Sequence, residues 1–153
     1  MFNVLLIEDN PDDVDLTLEA IERSKLLLNV DVAGDAQEAY ARLSSEPLPQ
    51  LILLDLNLPK TPGHEIIKVL RNDPAWRTIP ICVLSSSKAD MDVTETYARG
   101  ANCYVSKPLD FNRFKEIVTE ITDFWFTIVE LPKGIQEHGK GSPRLRRQKD
   151  SSD

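Results

Sequence analysis

At 153 residues, with 41% hydrophobic and 28% charged side chains, the chain has the composition of one globular domain large enough to bury a core. No apolar run approaches the roughly 18 residues that a membrane-crossing helix needs. The opening "MFNVLLIEDN" has no basic region before its apolar run, so neither a secretory leader nor a membrane segment is expected, and the reading is a cytoplasmic protein. The net charge of −7 is unevenly spread: residues 1–132 carry 12 basic and 22 acidic side chains, and residues 133–153 carry six basic and three acidic. An acidic body argues against nucleic acid as the main partner.

Short apolar runs alternate with segments of helical period along residues 1–131. "NVLLI" (3–7) is the first predicted strand. Asn10-Pro11-Asp12-Asp13 then reads as a helix start: a cap, a proline at the first position, and acids set against the helix dipole. "VDVA" (30–33) is the second strand, and Asp35 with Glu38 makes a cap-like pair ahead of the second helix. "LILL" (51–54) is the third strand, followed by a helix over Gly63–Leu70 with Ile66, Ile67 and Leu70 on one face. "ICVL" (81–84) precedes a more polar helix at 88–98, and "CYV" (103–105) precedes a last helix opening near Asp110 and stopping before Pro132. Apolar strands alternating with helices predict an α/β fold, a doubly wound five-stranded parallel sheet with helices on both faces. Cys82 and Cys103 sit inside strand-like runs without metal-ligand spacing and read as reduced, buried thiols. His64 and His138 are isolated and receive no role. The segment after residue 131 is rich in Gly, Ser, Pro and charge, and is expected to be a flexible basic tail (132–153).

In such a sheet, ligands bind beyond the carboxyl ends of the strands, where the strand order reverses. Glu8 and Asp9 follow the first strand, Asp55 the third, Ser85, Ser86 and Ser87 the fourth, and Ser106, Lys107 and Pro108 the fifth. In the order 2-1-3-4-5 the first and third strands are neighbours, so Glu8, Asp9 and Asp55 converge on one edge. Three carboxylates this close repel unless a cation sits among them. A hard ion such as Mg²⁺ suits them, because it takes a few carboxylate oxygens, keeps waters and completes its shell with phosphate. A carboxylate left partly free is a nucleophile able to form an aspartyl phosphate, with Lys107 and Ser85 supplying charge and a hydroxyl to the transferred oxygens. Asp55 is the expected phosphoacceptor.

These residues resemble the receiver domain of two-component response regulators, over residues 3 to about 125. Glu8 and Asp9 match that family's acidic pair, Asp55 its phosphorylated aspartate, and Lys107-Pro108 its lysine and following proline. The resemblance implies that Asn57 lends a backbone carbonyl to the metal shell. It also makes Ser85 and Tyr104 the switch pair, and suggests a cis Lys107–Pro108 bond that aims the lysine over the strand ends. The "EDNPDD" opening and "DFWFTIVELP" (123–132) further resemble the small regulators paired with bacterial and cyanobacterial phytochromes. This likeness implies a sensor histidine kinase of phytochrome type as partner, and a signalling role rather than an enzymatic one.

In the last helix, Phe114, Ile117, Val118, Ile121, Trp125 and Ile128 form one apolar stripe at about 100° per residue. Phe126 falls outside that stripe and Phe124 at its edge, so both are expected on an exposed patch that pairs two copies of the chain; regulators of the resembling class pair through this side. Two rivals stand beside the receiver reading. One is a phosphohydrolase of the haloacid dehalogenase type, whose Asp-x-Asp motif "DLN" (55–57) imitates; the other is a degenerate receiver that binds partners without phosphate.

Overall fold

A computed structural model of the chain describes residues 1–86 and 90–132. The expected tail from residue 133, Ser87, and the start of the fourth helix at 88 lie outside the described residues. Five strands, β1 (Phe2–Ile7), β2 (Leu28–Ala33), β3 (Leu51–Leu54), β4 (Ile81–Ser85) and β5 (Cys103–Ser106), form one parallel sheet in the order β2-β1-β3-β4-β5. The helices are α1 (Pro11–Glu22), α2 (Ala36–Leu43), α3 (Gly63–Asn72), α4 (Asp90–Arg99) and α5 (Phe111–Asp123). This is the expected doubly wound architecture. Among the described residues, no helix is long and apolar enough to cross a membrane.

The central strands are apolar throughout because each buries both faces. On one face Leu5, Ile7, Ile52, Leu54, Ile81 and Val83 pack with Ala39 and Leu43 of α2 and Ile66, Ile67 and Leu70 of α3. On the other, Val4, Leu6, Leu51, Leu53 and Cys82 meet Ile121, while Leu84 joins Phe114 and Val118 of α5 and Ala20 and Ile21 of α1. The period-two alternation along each strand thus divides the core into two layers. Cys82 and Cys103 are free thiols in register across β4 and β5.

Local chemistry sets the helix starts that lead out of the strand ends. The Asn10 side chain accepts from the Asp12 and Asp13 amides at 2.9 and 3.1 Å, with Pro11 at the first helical position. Asp35 accepts from the Glu38 amide at 2.8 Å, and the Glu38 carboxylate reaches back to the Gly34 amide at 2.7 Å. Asp110 caps α5 through the Arg113 amide at 2.9 Å.

Two expectations are corrected here. The Lys107–Pro108 bond is trans; among the described residues the cis bond is Glu46–Pro47. Trans is the lower state for an X-Pro bond by about 0.5–1 kcal/mol, and Lys107 reaches the strand ends without leaving it. The second correction concerns the end of α5, which continues as a π-helical turn over Phe124–Ile128, with the Val129 amide bonded to the Phe124 carbonyl at 3.1 Å. The wider turn advances each side chain by less than an α-helix does. Phe126 is thereby carried inward, where it is buried and stacked on Phe2 with ring centroids 4.6 Å apart. Ile128, placed on the buried stripe by α-helical phase, is instead 70% exposed.

Gly63 opens α3 where the helix approaches the backbone just after β3: a Cβ there would lie 2.7 Å from Leu56 Cα and 3.0 Å from the Asp55 carbonyl oxygen. Both neighbours are backbone, so they cannot swing aside. We expect Gly63→Ala to lower unfolding stability by about 1–3 kcal/mol in urea titrations. Gly34→Ala, whose Cβ would meet only the Glu38 carboxylate at an ordinary contact distance of 3.6 Å, should cost less.

Candidate functional site

The carboxyl ends of β1, β3 and β5 bring the predicted residues together. Glu8 follows β1 and is buried, Asp55 follows β3 and is buried, and Asp9 stands exposed beside them. One oxygen from each of the three carboxylates lies within 4.8 Å of the others. Lys107 follows β5, its amide bonded to the Ser85 carbonyl at 2.8 Å, and its side chain is 10% exposed. The ammonium donates to Glu8 Oε1 at 2.7 Å, to Asp13 Oδ2 at 2.7 Å and to Asp55 Oδ2 at 3.3 Å. The second Asp55 oxygen accepts from the Asn57 amide at 3.2 Å.

A cavity of about 570 Å³ opens over this cluster, with Asp9, Asp13, Asp55, Asn57, Ser86 and Lys107 in its wall. Ser85 lies at the end of β4, fully buried, and its Oγ has no hydrogen-bond partner among the described residues. Buried hydroxyls are almost always paired. One left unpaired at the end of a central strand has its hydrogen-bonding capacity in reserve. Tyr104 is half-buried on β5, in register with Val83, two residues before the position that pairs with Ser85. Its amide donates to the Tyr97 hydroxyl of α4 at 3.1 Å, so it stands between the site and that helix.

Burial and charge set opposite shifts on the two central partners. Burial is the largest influence on Glu8. With the Asp55 carboxylate it outweighs the lysine's hydrogen bond and raises the acid from 4.5 to about 7. For Lys107, burial would lower the pKa, but the hydrogen bonds to Asp13 and Glu8 and the charges of Asp55 and Glu8 hold it above the ordinary lysine value. The ammonium therefore stays charged while one of its anions is poised near neutrality.

The donor set fits a divalent ion. Glu8, Asp9 and Asp55 offer hard oxygen ligands on one side of the cavity, and the proximity of two anions already disfavours the charged form of Glu8. Asp13 is the residue that sequence reasoning undervalued. It was assigned to the helix dipole, yet its carboxylate bonds Lys107. The available signal was that the first turn of α1 starts two residues after the acidic pair and so overhangs the same strand ends.

Acidic residues at the ends of adjacent central strands, with a lysine from an edge strand, place a charged cluster at the switch point of a doubly wound sheet, where ligands of this fold class bind. Comparison with known proteins agrees. Residues 4–119 match the response regulator receiver domain, and the chain belongs to that family. It is 34% identical over 135 residues to the response regulator Rcp1 of Synechocystis sp., covering 84% of this chain and 92% of that one. It is 36% identical over 129 residues to FilR2, a probable methanogenesis regulatory protein of Methanothrix harundinacea, covering 81% and 83%. Among solved structures, the phosphorylated cyanobacterial phytochrome response regulator RcpA superposes with a TM-score of 0.81 at 36% identity, covering 86% of this chain and 98% of that one. The Mn²⁺-bound form of Rcp1 does so with 0.80 at 34%, covering 86% and 99%. The chain is thus a receiver-domain response regulator, homologous to a phytochrome response regulator. Membership in this family replaces the haloacid dehalogenase reading.

The raised Glu8 has a signed consequence. In the metal-free protein its contribution to stability is full below about 4.5 and is lost as pH rises through about 7. Glu8→Gln should therefore be more stable than the wild type at pH 8 in the presence of EDTA. Urea titrations should show that advantage shrinking as pH falls to 5, where the wild-type acid is protonated.

Proposed function

We propose that Asp55 accepts a phosphoryl group from the phosphohistidine of a sensor kinase of phytochrome type, and that the signal leaves through the surface around α4 and β5. The observation that carries this reading is the pairing of a buried Asp55 with a Lys107 ammonium at 3.3 Å, at strand ends where the adjacent β4 closes on a buried, unpartnered Ser85 hydroxyl. The likeness to the phytochrome regulator RcpA supports the choice of kinase class.

Each residue has a distinct part in the transfer. An Asp55 oxygen attacks phosphorus as the phosphorus–nitrogen bond to the histidine breaks, and the imidazole leaves with the electron pair. The Asn57 amide holds the other Asp55 oxygen, which fixes the carboxylate plane. Lys107 offers positive charge to the phosphoryl oxygens as they arrive, and Ser85 offers the hydroxyl that the resting protein leaves unpaired. Mg²⁺ would be held by Glu8, Asp9, Asp55 and the Asn57 backbone carbonyl, and when bound it neutralises charge on an anionic donor. Ser85 and Tyr104 form the switch: a hydroxyl drawn to the phosphoryl group vacates volume on β4, and the neighbouring ring on β5 moves into it.

The receiver occupies residues 1–131 in this reading. A symmetric dimer is its second part. Phe124 is 49% exposed and lines a groove of about 520 Å³ between β5 and α5, together with Ile117, Ile121 and Trp125. Met91 and Tyr97 add exposed apolar surface on α4. Exposed apolar surface on these elements supports an interface, and a second copy would present the same surface. Phe126 takes no part, because it is core.

Acetyl phosphate with Mg²⁺ should label the wild type stoichiometrically and leave Asp55→Asn unlabelled, as read by intact-protein mass spectrometry. Equal labelling of that variant would overturn the site. An unlabelled wild type would instead favour the degenerate receiver. Light scattering at micromolar concentration should give a dimer mass for the wild type and a monomer mass for Phe124→Asp; a monomeric wild type, phosphorylated or not, would remove the dimer.

A further inference from the structure

Lys107 is the cation of the site, but most of its short contacts are not with the phosphoacceptor. Its ammonium has three N–H donors, and all three point at carboxylates. Two of the contacts, to Glu8 and Asp13, measure 2.7 Å, while the contact to Asp55 measures 3.3 Å. Asp13 differs from the other anions in kind. Glu8, Asp9 and Asp55 can share an ion, whereas Asp13 does not join that group. It is set in the first turn of a capped helix, its amide bonded to the Asn10 side chain at 3.1 Å and its carbonyl to the buried Thr17 hydroxyl at 2.7 Å. α1 is packed on α5 through Ala20, Ile21, Phe114 and Val118, so the backbone that carries this carboxylate is fixed and only its short side chain can adjust.

We propose that Asp13 is a positioning residue that holds Lys107 back from Asp55 and so opposes the phosphorylated state. This rests on the function proposed above and concerns the regulation of the same site. Phosphorylation would replace the single negative charge of the Asp55 carboxylate with about two, in a cluster that already sets Glu8, Asp9 and Asp13 against one ammonium. To bond the phosphoryl group, Lys107 must lengthen or give up a 2.7 Å ion pair with an anion anchored on α1 and outside the group that can share a metal. Removing the Asp13 charge lifts that opposition and leaves Glu8, Asp9, Asp55 and Lys107 in place.

Beryllofluoride, an unreactive mimic of the aspartyl phosphate, reads this equilibrium without turnover. With Mg²⁺ saturating, Asp13→Asn should bind beryllofluoride several-fold more tightly than the wild type by titration calorimetry. Asp13→Glu, which restores a carboxylate one methylene longer, should return the affinity most of the way. Asp12→Asn is the charge control: Asp12 is an exposed neighbour on the same turn whose loss changes net charge equally. It should leave affinity within about twofold. An Asp13→Asn variant that binds no more tightly than the wild type, or an Asp12→Asn variant that tightens equally, would overturn the inference. A wild type that binds no beryllofluoride at all would instead overturn the phosphoacceptor reading on which it rests. Circular dichroism of each variant separates either result from loss of fold.

Discussion

The structure depends on one ammonium shared among carboxylates at the open end of a parallel sheet. Glu8 and Asp55 are brought together because β1 and β3 are hydrogen-bonded neighbours, and both side chains are buried. Two buried carboxylates at this range cannot both ionise cheaply without a counter-charge. Lys107 provides it from the far edge of the sheet, and only because β5 ends level with Ser85 and hands the lysine inward from there. Deleting the shared cation of such a buried set typically costs about 3–5 kcal/mol, because its carboxylates remain in place without their counter-charge. Topology, register and charge therefore constrain one another at this point.

The same arrangement explains why a stable fold tolerates a reactive site. Glu8, raised to about 7, can release or take a proton near neutrality, while Lys107 stays cationic. The cluster can thus adjust its negative charge by one unit while Lys107 keeps its ion pairs with Asp13 and Asp55. An arriving cation replaces a proton on Glu8 rather than creating a new charge imbalance.

Much of this was legible in the sequence because the signals were local. Asn10-Pro11 and Asp35 with Glu38 fix helix starts through contacts spanning two to four residues, and the apolar runs define strands wherever both faces are buried. Placing Glu8, Asp9, Asp55, Ser85 and Lys107 together required only the strand order. What was missed depended on geometry that a periodicity does not contain. One π-helical turn moved Phe126 from an expected surface patch into the core, where it stacks on Phe2 from the other end of the chain. Asp13 was placed by its helix, but its choice of Lys107 over solvent depends on how α1 overhangs β5. The Lys107–Pro108 bond was assigned by analogy, and the lysine reaches its partners without that bond being cis.

Ser85 shows what kind of switch this fold can carry. A buried hydroxyl without a partner costs about 1–3 kcal/mol, a penalty the resting state bears at the end of a fully buried strand. On the proposed phosphorylation of Asp55, an acceptor delivered there would relieve it and so give the differential interaction with two states that a conformational shift requires. The lysine acts in the opposite sense, being already satisfied by Glu8 and Asp13 before any phosphoryl group arrives. In the proposed switch one group would gain a partner on phosphorylation and the other would have to exchange partners. Two opposed contributions of about a few kcal/mol would leave a small net difference, the condition for both states to be accessible and for a single covalent group to decide between them.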